Sequence, residues 1–540
     1  MKNNFYKLKR THEIILILTK YGFGDLIEAV GVSVNYKKKP NYKIKRRERI
    51  RKAIEELGPT FIKLAQFLSL RPDLISLELA KELEKLQDSV SPLPFEDMEN
   101  VLMEELGDQY NDFEKNFELI ASASIGQVYK ATLKSGETVA VKILKPGIEE
   151  KIYFDIAILM DFAGLLREKF LIYGIDSIKI MEEFAVSIKR ELNFNFEALN
   201  LKRFASNFKN NPDVKVPKLY EKYCTKRVLT MEYIDGIKVS EIEKLKKAGY
   251  NLKEIAIKGF NAFCEQVFIH RYFHADPHPG NIWVSEGKIV FLDFGIMGRF
   301  SEEDARYLME FFYFVINKKE EEAAVCVIKL SKTGDDIDIS SFKKEMSDII
   351  SMYFYSSLKE LELRSVINDI LRIMNRYKVY LKEENYLLAK AAVTIEGIGK
   401  KLYPEFNAVE NIKPFVKKYY KKFSFSEFFK KSLIFNMKFK DFLFQAPQDI
   451  QDIIEKLKNG KLKIEFEHMG LDDFEKTVNS SANRLSVAII IAAILIGSSM
   501  ILSAKIPPLI YGVSVFGIAG FAFATIMGII LIFIFMGKDK

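Results

Sequence analysis

Cysteine is scarce in this chain, with three residues among 540. Cys224, Cys264 and Cys326 lie far apart and form no CxxC pair, so the sequence indicates neither a zinc site nor a disulfide framework. Isolated cysteines of this kind are usually buried thiols. We therefore expect the catalytic part of the protein to work in a reducing, cytosolic setting.

Other signatures are missing as well. The net charge of +8 is modest and no nucleic-acid recognition module is visible, so nucleic acid is not an expected partner. The first apolar run, Ile14 to Leu18, is too short for a signal peptide and is flanked by basic residues. Gly22 and Gly24 lack the third glycine and the preceding strand of a dinucleotide fingerprint. No flavin or haem motif appears, which argues against a redox enzyme.

Residues 274–295, HADPHPGNIWVSEGKIVFLDFG, carry the strongest functional signal. Asp276, Asn281 and Asp293 of the DFG triplet have the order and spacing of a protein-kinase active site. In that arrangement Asp276 orients or deprotonates the nucleophile. Asn281 and Asp293 would hold Mg²⁺ against the phosphates of ATP, because this metal prefers hard oxygen ligands.

The residues between Asn281 and Asp293 predict a hairpin. Two β-rich runs, 282–284 and 288–292, flank a turn at Glu286-Gly287. Asn281 and Asp293 would therefore lie at the two ends of one hairpin. His274 and His278, which belong to the same stretch, are expected to support the catalytic loop by hydrogen bonding and not to bind a metal.

Two upstream features complete a nucleotide site. The run Thr138 to Lys142 is rich in β-formers and ends in the lysine that contacts the α- and β-phosphates in kinases. Shortly before it, the slot of a glycine-rich loop holds a segment of Ala and Ser with a single glycine, and such a loop would approach nucleotide differently. We assign contacts with ATP to Lys142 and to the loop residues Ala121, Ser122, Ala123, Ser124, Ile125, Gly126, Gln127 and Val128.

At this point the chain resembles the UbiB (ADCK-like) family of atypical kinase-like proteins, whose members carry an alanine-rich loop in place of the glycine-rich one. Residues 57–73, LGPTFIKLAQFLSLRPD, are similar to the family's KxGQ signature. Lys63 and Gln66 match it, and Ala65 stands at the glycine position. The resemblance runs from about residue 10 to the C-terminus.

A second family pattern, ExD, is similar to Glu191-Leu192-Asn193, with Asn193 in place of the acid. Glu197 follows as the partner of Lys142. Both Ala65 and Asn193 weaken close or polar contacts in the covering element, so we hypothesise that they loosen the gate over the active site. Basal ATP hydrolysis that becomes faster when Gly is restored at 65 and Asp at 193 would contradict this.

The resemblance implies an α+β, two-lobed, protein-kinase-like fold. Its helical N-terminal KxGQ extension would cover the active site where a peptide substrate would otherwise lie, with Lys63, Gln66 and Glu191 as the gate. The sequence itself agrees, because Ser301 begins a capped helix soon after the DFG and no APE follows. The usual platform for docking a peptide is therefore missing.

The C-terminus differs in kind. Leu485 to Ala504 is an uncharged run of bilayer length, and a second uncharged run extends from Ile506 to Gly537. They predict a transmembrane helical hairpin that turns at Pro507-Pro508. Basic residues flank its outer ends, which favours a multi-pass protein of the cell membrane with the catalytic domain in the cytoplasm. Small residues every four positions, Gly520, Ala524 and Gly528, would allow close packing within the hairpin or a homodimer.

Two basic segments leave alternatives open. Lys413 to Lys440 has nine lysines, one acid and repeated aromatics, which fits helices on an anionic membrane surface or helices that close the lower lobe. Lys37 to Lys52 has ten basic residues and one acid, and is either a solvated helix face or a second contact with lipid head groups. Both readings make membrane lipid an expected partner.

A chain of 540 residues, 48% of them hydrophobic, is too long for one compact domain. We expect five parts, which are an N-terminal extension, a kinase-like N-lobe, a mostly helical C-lobe, juxtamembrane helices and the transmembrane pair. Their ranges are 1–112, 113–235, 236–410, 411–483 and 484–537.

The function that we predict is binding and slow hydrolysis of Mg-ATP by a membrane-anchored atypical kinase. The resemblance adds a role in isoprenoid-quinone biosynthesis, with quinone intermediates and the enzymes that make them as partners. Two alternatives remain, a non-enzymatic scaffold that presents lipid under the control of nucleotide, and a conventional protein kinase.

Overall fold

The computed structural model describes residues 2–24, 44–69, 71, 74–83, 85–86, 91–171, 176–333, 337–355, 362–420, 471–510 and 513–536. The chain divides into two compact units, Met1–Lys430 and Lys431–Lys540. The three cysteines are free thiols. Cys264 and Cys326 are buried as expected, whereas Cys224 is only half-buried.

An extension of helices precedes the first sheet. Its members are α1 (Lys2–Lys20), α2 (Arg46–Leu57), α3 (Pro59–Ser69), α4 (Leu77–Leu83) and α5 (Phe95–Leu106), followed by a 3₁₀ turn (Gly107–Asp112). Helix α3 carries the KxGQ-like residues. The described part of the basic run lies in α2, where Arg51 pairs with Glu82 and Glu55, so this part is a solvated face with ion pairs. The remainder of that run, 37–43, lies outside the described residues.

The first sheet is antiparallel, in the order β1-β2-β3-β5. Its strands are β1 (Glu118–Ser122), β2 (Gly126–Thr132), β3 (Thr138–Leu144) and β5 (Val228–Glu232), with β4 (Val214–Lys215) in the second sheet. Strand alternation sends the side chains of Val141 and Ile143 to one face, where they are fully buried against α5. Lys142 therefore points to the opposite face.

Three helices connect β3 to the sheet's last strand. They are α6 (Ile148–Leu171), α7 (Ser177–Glu191) and α8 (Phe194–Phe208). Asp176 caps the start of α7 and Asn193 caps the start of α8, each by accepting a hydrogen bond from a backbone N–H two residues later. Phe194 and Ala198 bury α8 against the apolar cluster beneath the sheet, which presents Glu197 to β3.

The second lobe combines helices with a small four-stranded sheet in the order β4-β9-β8-β6. Its elements up to the DFG are β6 (Ile237–Lys238), α9 (Ile242–Lys247), α10 (Leu252–Glu265), a π-helical turn (Gln266–His270), β7 (Tyr272–His274), β8 (Ile282–Ser285) and β9 (Lys288–Phe291). After the DFG, β10 (Met297–Arg299) pairs with β7. Ser301 then caps α11 (Glu302–Ile316) by accepting from the N–H of Asp304, as the sequence predicted.

The lobe continues as a helical layer around its own apolar cluster. It contains α12 (Glu320–Lys329), β11 (Ser331–Lys332), α13 (Ile339–Tyr355), α14 (Leu363–Arg376), β12 (Tyr380–Leu381) and α15 (Glu383–Leu402). A helical segment at 408–420 follows. Its Phe415 ring lies 5.5 Å from Phe268, and Tyr420 stacks on Tyr313 at 3.7 Å. The first part of the basic aromatic segment therefore closes the lower lobe, while 421–440 lies outside the described residues.

The C-terminal unit contains α16 (Leu471–Ser503) and α17 (Val515–Met536), joined by a connection in which β13 (Leu509–Ile510) pairs with β14 (Val513–Ser514). A Cβ on Gly520 would meet the Ser498 hydroxyl at 2.3 Å, so this glycine allows close packing within the hairpin, whereas a Cβ on Gly528 would meet nothing within 4 Å. Among the described residues, one helical segment, Ser486–Ser503, is long and apolar enough to cross a membrane. Within α17, the apolar stretch Val515–Gly528 is shorter than a membrane span, so the second predicted span is not confirmed.

Candidate active site

The predicted hairpin between Asn281 and Asp293 is confirmed. Strands β8 and β9 pair antiparallel around Glu286 and Gly287, whose φ angles of 54° and 74° are those of a type I′ turn. The N–H of Leu292 donates to the carbonyl of Asn281 at 2.8 Å and closes the open end. This places Asn281 and Asp293 at the two ends of the hairpin.

His274 holds the catalytic loop in shape. Its ring is buried, its Nε2 lies 2.9 Å from the carbonyl of Leu292, and its Nδ1 accepts from the N–H of Asp276 at 3.2 Å. A carbonyl can only accept, so Nε2 carries the proton and the ring is neutral. Burial lowers the pKa of His274 in agreement with this state. One imidazole thus ties Asp276 to the strand that leads to Asp293.

The side chain of Asn281 also contributes to the loop. Its Nδ2 donates to the carbonyl of Asp276 at 3.3 Å, which leaves its oxygen available to a cation. His278 accepts from the N–H of Gly280 at 3.0 Å, so both histidines take part in hydrogen bonds as predicted. No cluster of three His, Cys, Asp or Glu side chains suited to a metal occurs among the described residues. A Mg²⁺ site made of one amide, one carboxylate and nucleotide phosphates needs no such cluster.

Lys142 lies between two carboxylates. Its Nζ is 2.8 Å from Glu197 Oε2 and 3.7 Å from Asp293 Oδ1. Burial opposes the charge on Lys142, but the carboxylates of Asp293 and Glu197 outweigh it, so the pKa of Lys142 is raised. The charge of Lys142 in turn lowers the pKa of Asp293 to about 2. Asp293 is therefore ionised at neutral pH, and half of its side chain is exposed and ready to bind a cation.

Glu197 differs from Asp293 in its surroundings. Only 6% of its side chain is exposed, and burial raises its pKa in spite of the neighbouring Lys142. Asn200 lies three residues further along α8, and no sequence pattern pointed to it. Its amide donates to the carbonyl of Phe294 at 2.8 Å and its oxygen accepts from the Tyr272 hydroxyl at 2.7 Å. Helix α8 is thereby bound to both the DFG and β7.

The loop at 121–128 is a tight turn between β1 and β2. Gly126 is required there, because an added Cβ would lie 2.8 Å from the carbonyl oxygen of Ile143. Lys145 donates to the carbonyl of Ala123 at 2.7 Å and steadies the turn. The hydroxyls of Ser122 and Ser124 are buried and have no hydrogen-bond partner among the described residues. Unpartnered donors in this position fit the phosphate oxygens of ATP.

Other loop residues have structural duties. The side chain of Gln127 is fully buried, accepts from the N–H of Leu93 at 2.7 Å and donates to the Tyr129 hydroxyl. Ile125 packs into the apolar cluster beneath the sheet, and Val128 packs against the core of the second lobe. Near the end of β1, Ala121 pairs with Val128 and Ser122 pairs with Gln127. Because its side chain is used in this way, Gln127 could contact nucleotide only through its backbone.

The KxGQ-like helix α3 lies against α7. Lys63 Nζ is 3.1 Å from Glu191 Oε2, and Lys63 is close enough to Asp293 to contribute to its low pKa. Gln66 is half-buried on the same helix, one turn later. The structure therefore brings Lys63 and Glu191 together beside the DFG.

The two departures from the family patterns have local roles. Ala65 is 1% exposed, and its methyl group packs in a small cluster with Ile62, Leu83 and Leu86. Asn193 uses its oxygen as the cap of α8, accepting from the N–H of Asn195 at 3.1 Å. The effect of either residue on the cover stays a prediction.

A buried ion pair that no sequence pattern predicted links the covering helices. Arg10 Nε donates to Asp155 Oδ1 at 2.7 Å, and both side chains are buried. The second carboxylate oxygen accepts from the hydroxyl of Thr60 at 2.5 Å. Arg10 also donates to the carbonyl of Leu57. Helices α1, α3 and α6 thus meet at one charge pair.

The chain is similar to known protein families and to individual proteins along most of its length. Three family models match the chain: the ABC1 atypical kinase-like domain at residues 85–326, the UbiB helical domain at 346–407 and the ABC1/UbiB kinase-like C-terminal domain at 469–536. A protein of Clostridium pasteurianum named "Uncharacterized protein in hydrogenase 1 5'region" is 35% identical over 98% of both chains.

Two relatives carry a functional name. Proteins named "Probable protein kinase UbiB" from Shewanella loihica and Shewanella woodyi are 35% and 36% identical. They cover 76% and 69% of this chain and 78% and 69% of their own length. A solved structure of the Rv3197–erythromycin complex from Mycobacterium tuberculosis is 22% identical, with a TM-score of 0.40 over 65% of this chain and 94% of that one. That last likeness is too distant to carry an argument.

Proposed function

Because the chain belongs to the ABC1/UbiB family of atypical kinase-like proteins, we propose that it is a membrane-anchored ATPase that binds Mg-ATP and supports isoprenoid-quinone biosynthesis. The observation that carries this proposal is the position of Lys142 between Glu197 and Asp293. In a kinase this pairing orients the lysine toward the nucleotide phosphates.

The mechanism assigns each side chain one task. Lys142 contacts the α- and β-phosphates, and Glu197 holds it in place. Asn281 and Asp293 would hold Mg²⁺, and the bound metal would neutralise charge on the phosphates. Asp276 orients the attacking water or a lipid hydroxyl. Such a site works by positioning and charge neutralisation, with little covalent chemistry asked of the protein.

The low pKa of Asp293 supports its proposed role as a ligand of Mg²⁺. A carboxylate that ionises at about pH 2 is always available to a cation at neutral pH. Asp276 is held through its backbone by His274, so its side chain is free of the bonds that shape the loop. The hydroxyls of Ser122 and Ser124, which lack partners among the described residues, are further candidate donors to phosphate.

The anchor and the pathway rest on different support. Segment Ser486–Ser503 satisfies the length and hydropathy of a membrane span, and the apolar α17 packs beside it in the same hairpin. The name of the Shewanella relatives and the family resemblance support the quinone pathway. Membrane lipid and isoprenoid-quinone intermediates are the partners that we propose.

The test is Mg²⁺-dependent hydrolysis of ATP by the full chain in nanodiscs, with and without anionic lipid. We expect turnover that rises with anionic lipid and is lost in Asp293→Asn, because that variant removes the metal-binding charge. Glu286, an exposed acid in the turn of the same hairpin, gives a matched control. The variant Glu286→Gln should hydrolyse ATP at the wild-type rate. Equal turnover in wild type and Asp293→Asn would refute the assignment.

A nucleotide-gated scaffold is the second candidate, and the Lys63–Glu191 ion pair favours it. This pair fixes the covering helix beside the DFG, so bound nucleotide could set the position of the cover without being hydrolysed. Nucleotide binding without turnover under every lipid condition would support the scaffold. A conventional protein kinase has less support, since β10 leads within a few residues into α11 and leaves little room for a peptide platform.

A further inference from the structure

A cationic cavity lies beside α8, the helix that also carries Glu197. Its volume is about 400 Å³, and it lies between the C-terminal part of α8, the π-helical turn, the end of β10 and the start of α11. The lining residues are Arg203, His270, Arg271, Arg299, Phe300, Ser301 and Glu302. Three guanidinium groups therefore face one carboxylate, and none of them belongs to the nucleotide site.

The charges in this cavity are only partly neutralised. Glu302 lies 3.4 Å from Arg271. Among the described residues, no carboxylate lies within ion-pair distance of Arg203 or Arg299. The guanidinium of Arg203 lies over the ring of Tyr272 at 4.0 Å, which holds the group in place while its N–H edge can still donate. Clustered cations repel one another, so an anion bound between them would be stabilised.

The backbone is also shaped around the cavity. Arg271 has a φ of 51°, a left-handed conformation that a residue with a side chain rarely adopts. The N–H of Phe300 donates to the carbonyl of Arg271 at 3.0 Å and keeps it there. Arg299 is the ladder partner of Tyr272 in the β7–β10 pair. These contacts bring the three arginines to one place although they are distant in sequence.

We propose that this cavity binds a phosphate-class oxyanion, either inorganic phosphate or the phosphate of a monoester. Guanidinium groups bind phosphate through two parallel hydrogen bonds, and three of the seven lining residues carry such a group. The volume exceeds what one phosphate fills, so it leaves room for the organic part of an ester.

The position of this anion site gives it a route to the nucleotide site. Arg203 lies on α8, which also carries Glu197 and Asn200. Arg271 precedes the strand that leads to Asp276, and Arg299 ends the strand that follows the DFG. An anion that draws these three arginines together acts on each element that holds a group of the proposed active site.

Calorimetric titration of the full chain in detergent tests the proposal. Inorganic phosphate and glycerol 3-phosphate are each titrated without nucleotide or Mg²⁺ at fixed ionic strength. We expect saturable binding of one ligand per chain, weakened about ten-fold or more in Arg299→Gln and in Arg203→Gln, since each loses charged hydrogen bonds. Arg299→Lys should fall between wild type and Arg299→Gln, because it keeps the charge and loses the fork.

Arg372→Gln is the matched control, because Arg372 is an exposed arginine far along the chain whose partner is Asp369. It should bind like wild type. Tighter binding of glycerol 3-phosphate than of phosphate would identify an ester as the ligand. Tighter binding of phosphate would identify the free anion as the ligand. If the folded wild-type chain, checked by its melting transition, shows no saturable binding of either ligand, the proposal is overturned. Equal affinity in wild type and both glutamine variants overturns it as well, since the anion would then bind elsewhere.

Discussion

Replacing Lys142 with methionine is expected to destabilise the protein through the carboxylate that it leaves behind. Methionine keeps the apolar stem, so the main loss is the ammonium group 2.8 Å from Glu197. Removal of one partner from a buried ion pair costs about 3–5 kcal/mol. Lys142 is 16% exposed, which favours the lower end, about 3 kcal/mol. At roughly 2 °C per kcal/mol for a large domain, the melting temperature should fall by about 6 °C.

The loss should depend on pH, and its sign follows from Glu197. The pKa of this carboxyl is already raised by burial, and Lys142 is the neighbour that lowers it, so the substitution raises it further. A carboxyl whose pKa is higher in the folded than in the unfolded protein destabilises the fold when ionised. The penalty is complete above the folded pKa and is relieved as the pH falls toward and below it. The melting-temperature gap between wild type and Lys142→Met should therefore narrow between about pH 7.5 and about pH 5.5.

A second substitution separates this cause from lost packing. In Lys142→Met/Glu197→Gln the buried group is a neutral amide, so most of the lost stability should return, to within about 1 kcal/mol. Scanning fluorimetry of the full chain in one detergent measures all three proteins at both pH values. The reasoning is refuted if the double variant melts as low as Lys142→Met and neither responds to pH.

Three further predictions concern the surroundings of the site. Gly126→Ala should lower the melting temperature, because the added Cβ would lie 2.8 Å from the Ile143 carbonyl oxygen, whereas Gly164→Ala on helix α6 meets nothing and should be neutral or stabilising; equal shifts in the two would contradict this. Ala65→Gly should cost about 1–2 kcal/mol in a thermal melt, from helix propensity and the buried methyl group, and an unchanged melt would show that the small cluster repacks. Burial lowers the pKa of His274, so stability should be lost as the pH falls from about 6.5 toward the folded pKa. His274→Gln should flatten that slope relative to wild type, and parallel slopes would exclude His274 as its source.

Much of the kinase-like lobe pair follows from local patterns. The hairpin between Asn281 and Asp293 was visible as two β-rich runs around a turn, and the capped start of α11 as Ser301 followed by an acid. Both depend on residues within one short segment, where strand propensity and capping act without help from the rest of the chain. The lysine strand was predicted for the same reason.

Other predictions depended on what a segment packs against. Lys413 to Lys440 left a membrane surface and the lower lobe as equal choices, and the packing of Phe415 on Phe268 decided for the lobe as far as residue 420. Gln127 was assigned to nucleotide; its buried side chain accepts from the N–H of Leu93, and the assignment stays a prediction. The two predicted membrane spans gave one helical segment of sufficient length among the described residues. Composition measures how apolar a segment is and does not say what it packs against.

The sequence by itself predicted which groups would handle phosphate and metal, because Asp276, Asn281 and Asp293 occur at a spacing that one loop and one hairpin bring together. Only the tertiary structure decided what lies around them. Arg10 pairs with Asp155, and Arg203 lines one cavity with Arg271 and Arg299, across long stretches of chain. Such encounters depend on how helices pack against sheets, and no local pattern in the sequence records them.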